Sequence, residues 1–339
     1  MTEDIKTGQK SLSKVDFKEI IAEYKDDLQR VEKGIADNFQ TDVTIIPKVS
    51  SYLTAGGGKR IRPLLLIASA KLCGYTGASR YIKHSVVVEY IHTATLLHDD
   101  VVDEADMRRG GASANIKFGN QASVLVGDFL FAKSFQIMSE DNDIRVIQAV
   151  SRATRLLAEG EVLQLVNTMN TDITEKEYLE TIYRKTGALI ETCLIVGAIL
   201  GGAPKESELA LAEYGRNIGL AFQLVDDALD YAGQAQTWGK PLGADISEGK
   251  ITMPLIRALK LADKKEKEVI HKALETDKIS KLHLEEVIEI MNRHKTLAYT
   301  MNQAREYVNT AKKLISGFPP SAGLTSLCAI ADYIVDRDI

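Results

Sequence analysis

The sequence predicts an all-α protein, and three observations support that class. Seven prolines occur in 339 residues and none falls between Pro63 and Pro204, so long helices can cross the centre uninterrupted. Apolar residues in that region return at helical spacing, as Ile82, Val86, Ile91 and Leu96 do in one segment and Leu179, Ile182, Leu189, Ile190 and Leu194 in another. Strand-like alternation is nearly absent.

After a polar tail over 1–15, helices are expected at 16–37 and 40–55, and at 62–73 where Pro63 follows a glycine run. Long helices follow at 79–104, 120–139, 143–168, 175–200 and 206–233, the last two separated by GGAP at 201–204. The Gly-bearing segment 233–250 precedes helices at 251–262, 264–275 and 281–316, and GFPPSAG at 317–323 precedes a last one at 322–336. No break reads as a flexible linker. A single helical domain over 16–339 is expected, although its length also admits two bundles.

Hydrophobic residues make up 45% of the chain, enough for a core without disulfides, and the net charge of −5 gives no electrostatic case for nucleic acid. Partners should be small molecules or proteins. Cys73, Cys193 and Cys328 are far apart and odd in number, which reads as reduced thiols in a cytoplasmic protein. No stretch has the composition of a signal peptide or a transmembrane segment.

The chemistry concentrates in LLHDDVVDEADMRRG at 96–110, which sets Asp99, Asp100 and Asp103 among leucines and valines. FQLVDDALDYAG at 222–233 repeats the spacing with Asp226, Asp227 and Asp230. Positions i and i+4 share a helix face, so Asp99 pairs with Asp103 and Asp226 with Asp230. Such open oxygen clusters suit Mg²⁺, which keeps waters and is completed by substrate phosphates. One cluster alone reads equally well as a solvated helix end. Two, both embedded in apolar sequence and both opposing a helix dipole, favour a ligand role. The first is not an EF-hand, because the loop glycine and terminal glutamate are missing.

A basic constellation answers the acidic one. GGGKRIRP at 56–63 offers Lys59, Arg60 and Arg62 beside a helix start, as an anion site would, but lacks the spacing of a P-loop. Arg108 and Arg109 follow the first cluster, and Lys185 and Thr186 lie mid-helix in YRKTGALI. His92 stands two turns before Asp99, placed to donate to a phosphate, and Gln223 holds the corresponding face before Asp226.

In order and rough spacing, GGGKRIRP, LLHDDVVDEADMRRG, YRKTGALI, FQLVDDALDY and GKPLGADISEGK resemble the trans-isoprenyl diphosphate synthases, from about residue 45 to the end. The resemblance implies an isoprenoid-synthase helical bundle with a central cavity, a homodimer, and Mg²⁺-dependent condensation of an allylic diphosphate with isopentenyl diphosphate. It implies that Asp99, Asp103, Asp226 and Asp230 hold metal, and that Asp99, Asp103, Asp226 and Lys185 are central to catalysis. Arg108, Lys185, Thr186, Gln223 and Lys240 would bind the allylic diphosphate, and Lys59, Arg62, His92 and Arg109 isopentenyl diphosphate. Ala244 departs from the family pattern, where many members carry aspartate, and Lys250 follows it in EGK.

In the family a bulky aromatic near position 94 stops elongation at short products. Ala94 and Thr95 are small, so the product tunnel is expected to run past them and Ile91 toward Val87, with a floor at Phe131 or Phe135. That implies a long, octaprenyl-like product grown from farnesyl diphosphate for quinone side chains. A class I terpene cyclase is a second reading, disfavoured by the intact FQLVDDALDY and by GGGKRIRP. A non-catalytic subunit of a heteromeric synthase is a third, disfavoured because both aspartate motifs are whole.

Overall fold

The computed structural model describes residues 16–39, 41–55, 58–77, 79–108, 110–232, 242–275 and 280–336. They form a helical bundle: α1 Phe17–Glu23, α2 Lys25–Asp37, α3 Ile45–Ala55, α4 Ile61–Leu72, α5 Arg80–Val102, α6 Ala114–Phe118, α7 Asn120–Asp141, α8 Ile144–Val166 and α9 Glu175–Ile182. The second half comprises α10 Ala188–Leu200, α11 Lys205–Asp230, α12 Ala244–Ser247, α13 Met253–Leu261, α14 Lys264–Leu274, α15 Lys281–Arg293, α16 Thr296–Leu314 and α17 Ala322–Asp336. Strand structure among the described residues is one two-residue ribbon, β1 Met107–Arg108 against β2 Gly111–Ala112, anchored where the Tyr52 hydroxyl donates to the Ala112 carbonyl at 2.7 Å.

Several starts are written in side chains that accept from orphan amides. Asp143 accepts from the Arg145 amide at α8, and Thr174 with Glu177 and Asp263 with Glu266 form capping boxes at α9 and α14. The helix expected over 16–37 breaks at buried Tyr24, and that over 281–316 breaks at Lys295, whose φ of 53° is left-handed. The segment 175–200 stays helical but widens into a π-helical turn over Tyr183–Gly187. The helix expected from residue 40 begins at Ile45, and the short α6, α12 and the ribbon are additions.

Helices α4, α5, α10 and α11 form the centre. On α10, Gly197 lets the chain approach so closely that a Cβ there would lie 2.5 Å from the Leu66 carbonyl oxygen, and Ser69 of α4 donates to the Leu194 carbonyl at 2.7 Å. One hydrophobic cluster runs from Ile20 to Ile334. No helix among the described residues is long and apolar enough to cross a membrane.

Candidate active site

The C-terminal ends of α5, α8 and α11 and the π turn surround a cavity of about 300 Å³. Asp99 and Asp103 from α5 and Asp226 and Asp227 from α11 line it, so the two acidic motifs meet across one space. Arg62, Arg108, Lys185 and Lys250 bring positive charge to the same walls, and His92, Thr186 and Gln223 are present too.

Lys250, Lys185 and Arg108 are each held by a carboxylate. The Lys250 ammonium lies 2.9 Å from Asp103 and 2.6 Å from Glu248, and that of Lys185 lies 2.7 Å from Glu161. Burial would lower the Lys250 pKa, but the carboxylates of Glu248 and Asp103 outweigh it and raise it. Burial pushes Asp99 up to about 7, with Lys185 pulling it down and Glu161 and Asp103 pushing it further up. The Arg108 Nε donates to Asp100 at 2.6 Å; this fully buried carboxylate has its other oxygen unpartnered, and burial raises its pKa.

A second chain of hydrogen bonds orders the far wall. The Tyr178 hydroxyl donates to Asp227, the Gln223 amide donates to Asp227 at 2.9 Å, and the Thr186 hydroxyl donates to the Gln223 carbonyl oxygen at 2.9 Å. With Asp227 ionised it only accepts, so the Gln223 amide nitrogen faces it and the amide oxygen faces Thr186. Asp227 is 3% exposed, and its pKa is pushed up to about 7 by burial, against the opposing bonds from Tyr178 and Gln223.

The π turn that carries Lys185 and Thr186 is wedged between helices through two glycines. A Cβ on Gly160 of α8 would lie 2.5 Å from the Lys185 amide nitrogen, and one on Gly219 of α11 would lie 2.4 Å from the Gly187 Cα. A π turn inserts an extra residue and turns the following side chains toward a new direction. Here it presents Lys185 and Thr186 to the cavity.

Several expected site residues lie elsewhere. Lys59 reaches outward, its ammonium bonded to the Tyr333 hydroxyl and 4.7 Å from that ring's centre, and it does not line the cavity. Asp230 also stands outside the lining; its carboxylate accepts the Asp245 backbone amide at 3.1 Å and so ties α11 to α12. Thr95 lines the cavity, but Ala94 and Ile91 do not and are wholly buried. The reason is rotation: an i−4 residue stays within about 40° of Asp99, whereas i−5 turns about 140° away. Phe135 is 43% exposed and forms no floor within one chain, while Phe131 packs near His98 with ring centres 5.9 Å apart. Arg109 and Lys240 lie outside the described residues.

The sequence reading passed over Glu161, Tyr178 and Asp245, which line the cavity, and gave Asp227 and Lys250 no role. The EGK segment held a signal for Lys250, because a lysine beside an acidic turn has carboxylates to seek. Tyr178 and Glu161 carry no such local signature.

As a metal site the cavity supplies hard oxygen donors in the i, i+4 pair Asp99 and Asp103 and in Asp226 opposite. Among the described residues no three acidic, imidazole or thiol groups converge into a closed cage. This donor set fits a hydrated divalent cation whose shell is completed by phosphate oxygens.

A family model described as Polyprenyl synthetase matches residues 43–291. The chain is 43% identical to the octaprenyl diphosphate synthase of Haemophilus influenzae over 312 residues, 92% of this chain and 94% of that one. It is 42% identical to the octaprenyl diphosphate synthase of Escherichia coli, over 92% and 96% of the two chains. Among solved structures, a decaprenyl diphosphate synthase from Rhodobacter capsulatus superposes with a TM-score of 0.90 at 41% identity, covering 95% of this chain and 99% of that one. A polyprenyl synthase from Caulobacter crescentus, complexed with calcium and isoprenyl diphosphate, superposes at 0.91 with 38% identity over 96% and 99%. On the extent of these matches, the chain belongs to the polyprenyl synthetase family of prenyltransferases.

Proposed function

We propose that the protein joins an allylic diphosphate, farnesyl diphosphate in the first instance, to successive isopentenyl diphosphate units and releases a long all-trans, octaprenyl-like diphosphate for a quinone side chain. The observation that carries this reading is the pair of acidic helix ends facing one another across a cavity that Arg62, Arg108, Lys185 and Lys250 also line. Asp99, Asp103 and Asp226 would hold Mg²⁺, which neutralises charge on a leaving diphosphate. Arg108, Lys185 and Lys250 then stabilise the same charge as the allylic C–O bond breaks. Arg62 and His92 orient isopentenyl diphosphate so that its double bond meets the allylic carbon before water does. Thr186 and Gln223, locked by Asp227, face the reacting end.

Assembly as a homodimer is supported by the outer face of α7, where Val124, Leu125 and Phe135 are exposed beside Phe131; Leu125 is 66% exposed. An apolar stripe of this kind is typical of a face covered by another subunit.

The test is incubation with radiolabelled isopentenyl diphosphate, farnesyl diphosphate and Mg²⁺, reading product length by chromatography, with D99A and D226A as controls. Long-chain product from the native chain is expected, and a loss of about a hundredfold or more in each variant with helical content retained. Cyclised hydrocarbon, or variants as active as the parent, would overturn the reading.

A further inference from the structure

Three cations of the segment 58–62 take three directions. Lys59 turns outward to Tyr333, Arg62 turns into the cavity, and Arg60, to which the family resemblance gives no role, turns into the protein. The Arg60 guanidinium donates to Glu89 of α5 at 2.6 Å and to Glu32 of α2 at 3.1 Å, and to the Thr54 carbonyl at the end of α3 at 3.5 Å. Its backbone is left-handed, with φ 46° and ψ 42°, while its carbonyl accepts the Leu64 amide that opens α4. A non-glycine residue holds that conformation only where its surroundings dictate it. Here a forked side chain clamped by three helices does so.

Glu89 is 4% exposed, so the carboxylate sits in the protein with almost no solvent to screen it. Two residues beyond Arg60, the Arg62 Nε is inaccessible to solvent and has no hydrogen-bond partner. Burial lowers its pKa, and among the charges that oppose the burial Glu89 acts most strongly, ahead of Asp226. Glu89 and His92 stand one turn apart on one face of α5, and His92 lines the cavity with Arg62, so the carboxylate that holds Arg60 together with Glu32 also faces the Arg62 side of the site. An uncompensated buried guanidinium would turn toward solvent or toward Asp226.

We propose that Glu89, clamped to Arg60, is a positioning residue that aims the Arg62 guanidinium at the diphosphate of isopentenyl diphosphate. This rests on the reading of Arg62 given above. Glu89 touches neither substrate, and its influence is confined to one of the two diphosphate subsites.

Steady-state kinetics of the full chain with Mg²⁺, titrating isopentenyl and farnesyl diphosphates separately, tests it. E89Q should raise KM for isopentenyl diphosphate about tenfold, the scale of one charge-assisted hydrogen bond, while kcat and the farnesyl diphosphate KM stay within about twofold. R62A should raise the same KM, and E89Q added to R62A should change it no further, because a residue acting through another is silent once the other is gone. Full additivity in that cycle, or equal effects on both substrates, would reduce Glu89 to a structural role and overturn the proposal. If R62A leaves KM for isopentenyl diphosphate unchanged, the subsite assignment itself falls and the inference with it; if R62A raises it and E89Q does not, only the inference falls. R60K, which keeps the charge and loses the fork, carries the same cycle should E89Q fail to fold, with an expected rise of about threefold.

Discussion

The Lys250 ammonium lies 2.9 Å from the Asp103 carboxylate and so joins the end of α5 to the stretch between α12 and α13. A monovalent cation thus occupies the coordination sphere of a carboxylate assigned to metal. On the assignment proposed above, a divalent metal would displace or share it, and the ammonium would then be available to a diphosphate.

From this exchange, K250Q is expected to bind Mn²⁺ about tenfold more tightly than the parent without substrate, since a competing charge is gone, while turnover falls for want of that charge on the diphosphate. Titration calorimetry with Mn²⁺ and a rate assay at saturating metal read the two effects. Weaker metal binding in K250Q would mean that Lys250 supports the metal site and does not compete for it.

Stability should depend on pH through Asp99 and Asp227, both pushed up to about 7, chiefly by burial. The unfolded chain loses these protons near pH 4, whereas the native state keeps them to about 7, so their contribution is full below about 4 and fades as pH rises through 7. In chelator, Tm should fall between about pH 5 and 8 more steeply in the parent than in D227N. Mg²⁺ requires the ionised carboxylates, so it should raise Tm more at about pH 8 than at 6. The reverse order of the Mg²⁺ effect would place the metal away from Asp99.

At Gly160 the usual benefit of alanine in a helix should invert. G160A would gain about 0.5–1 kcal/mol from propensity alone. Its methyl would meet the Lys185 amide nitrogen at 2.5 Å, so the π turn must move. A net destabilisation of about 1–3 kcal/mol is expected, with a fall of about a hundredfold in kcat/KM for farnesyl diphosphate as Lys185 and Thr186 shift. Denaturant melts and kinetics measure both, and a stabilised, fully active G160A would show that the turn has slack.

The long helices were legible because apolar spacing reports burial directly, and Ile82, Val86 and Ile91 of α5 are all buried. The break at Tyr24 was not, because nothing local forbids a helix there and packing decides it. The π turn likewise depends on two glycines of other helices, Gly160 and Gly219, that meet it only in three dimensions. Within the site, the i, i+4 rule brought Asp99 and Asp103 to one wall, while Asp230 lies outside the cavity lining with its carboxylate accepting the Asp245 amide. Lys59 and Arg62 are three residues apart in one motif and still diverge, since α4 starts at Ile61 and its first turn carries Arg62 inward.

Product length is where the two lines of reasoning part most sharply. The cavity of about 300 Å³ is at the small end for a ligand site, so a growing polyprenyl tail must open space by displacing packed side chains. On α5 the cavity face carries Thr95 and His92, while Ala94 and Ile91 belong to the side that packs toward α7, where Gly127 abuts the His98 ring. The tail is therefore expected to extend along the Thr95 face. One helical turn rises about 5.4 Å, comparable to one extended isoprene unit, so T95F should shorten the product by one or more units and leave the rate of the first condensation within about threefold. A94F should instead overpack the α5–α7 contact, lowering stability by about 1–3 kcal/mol with product length unchanged. Chromatography of the products and thermal melts of both variants separate the cases. Shortened chains from A94F together with unaltered chains from T95F would show that elongation forces a channel between α5 and α7, in which case Ala94 and not Thr95 is the residue that sets length.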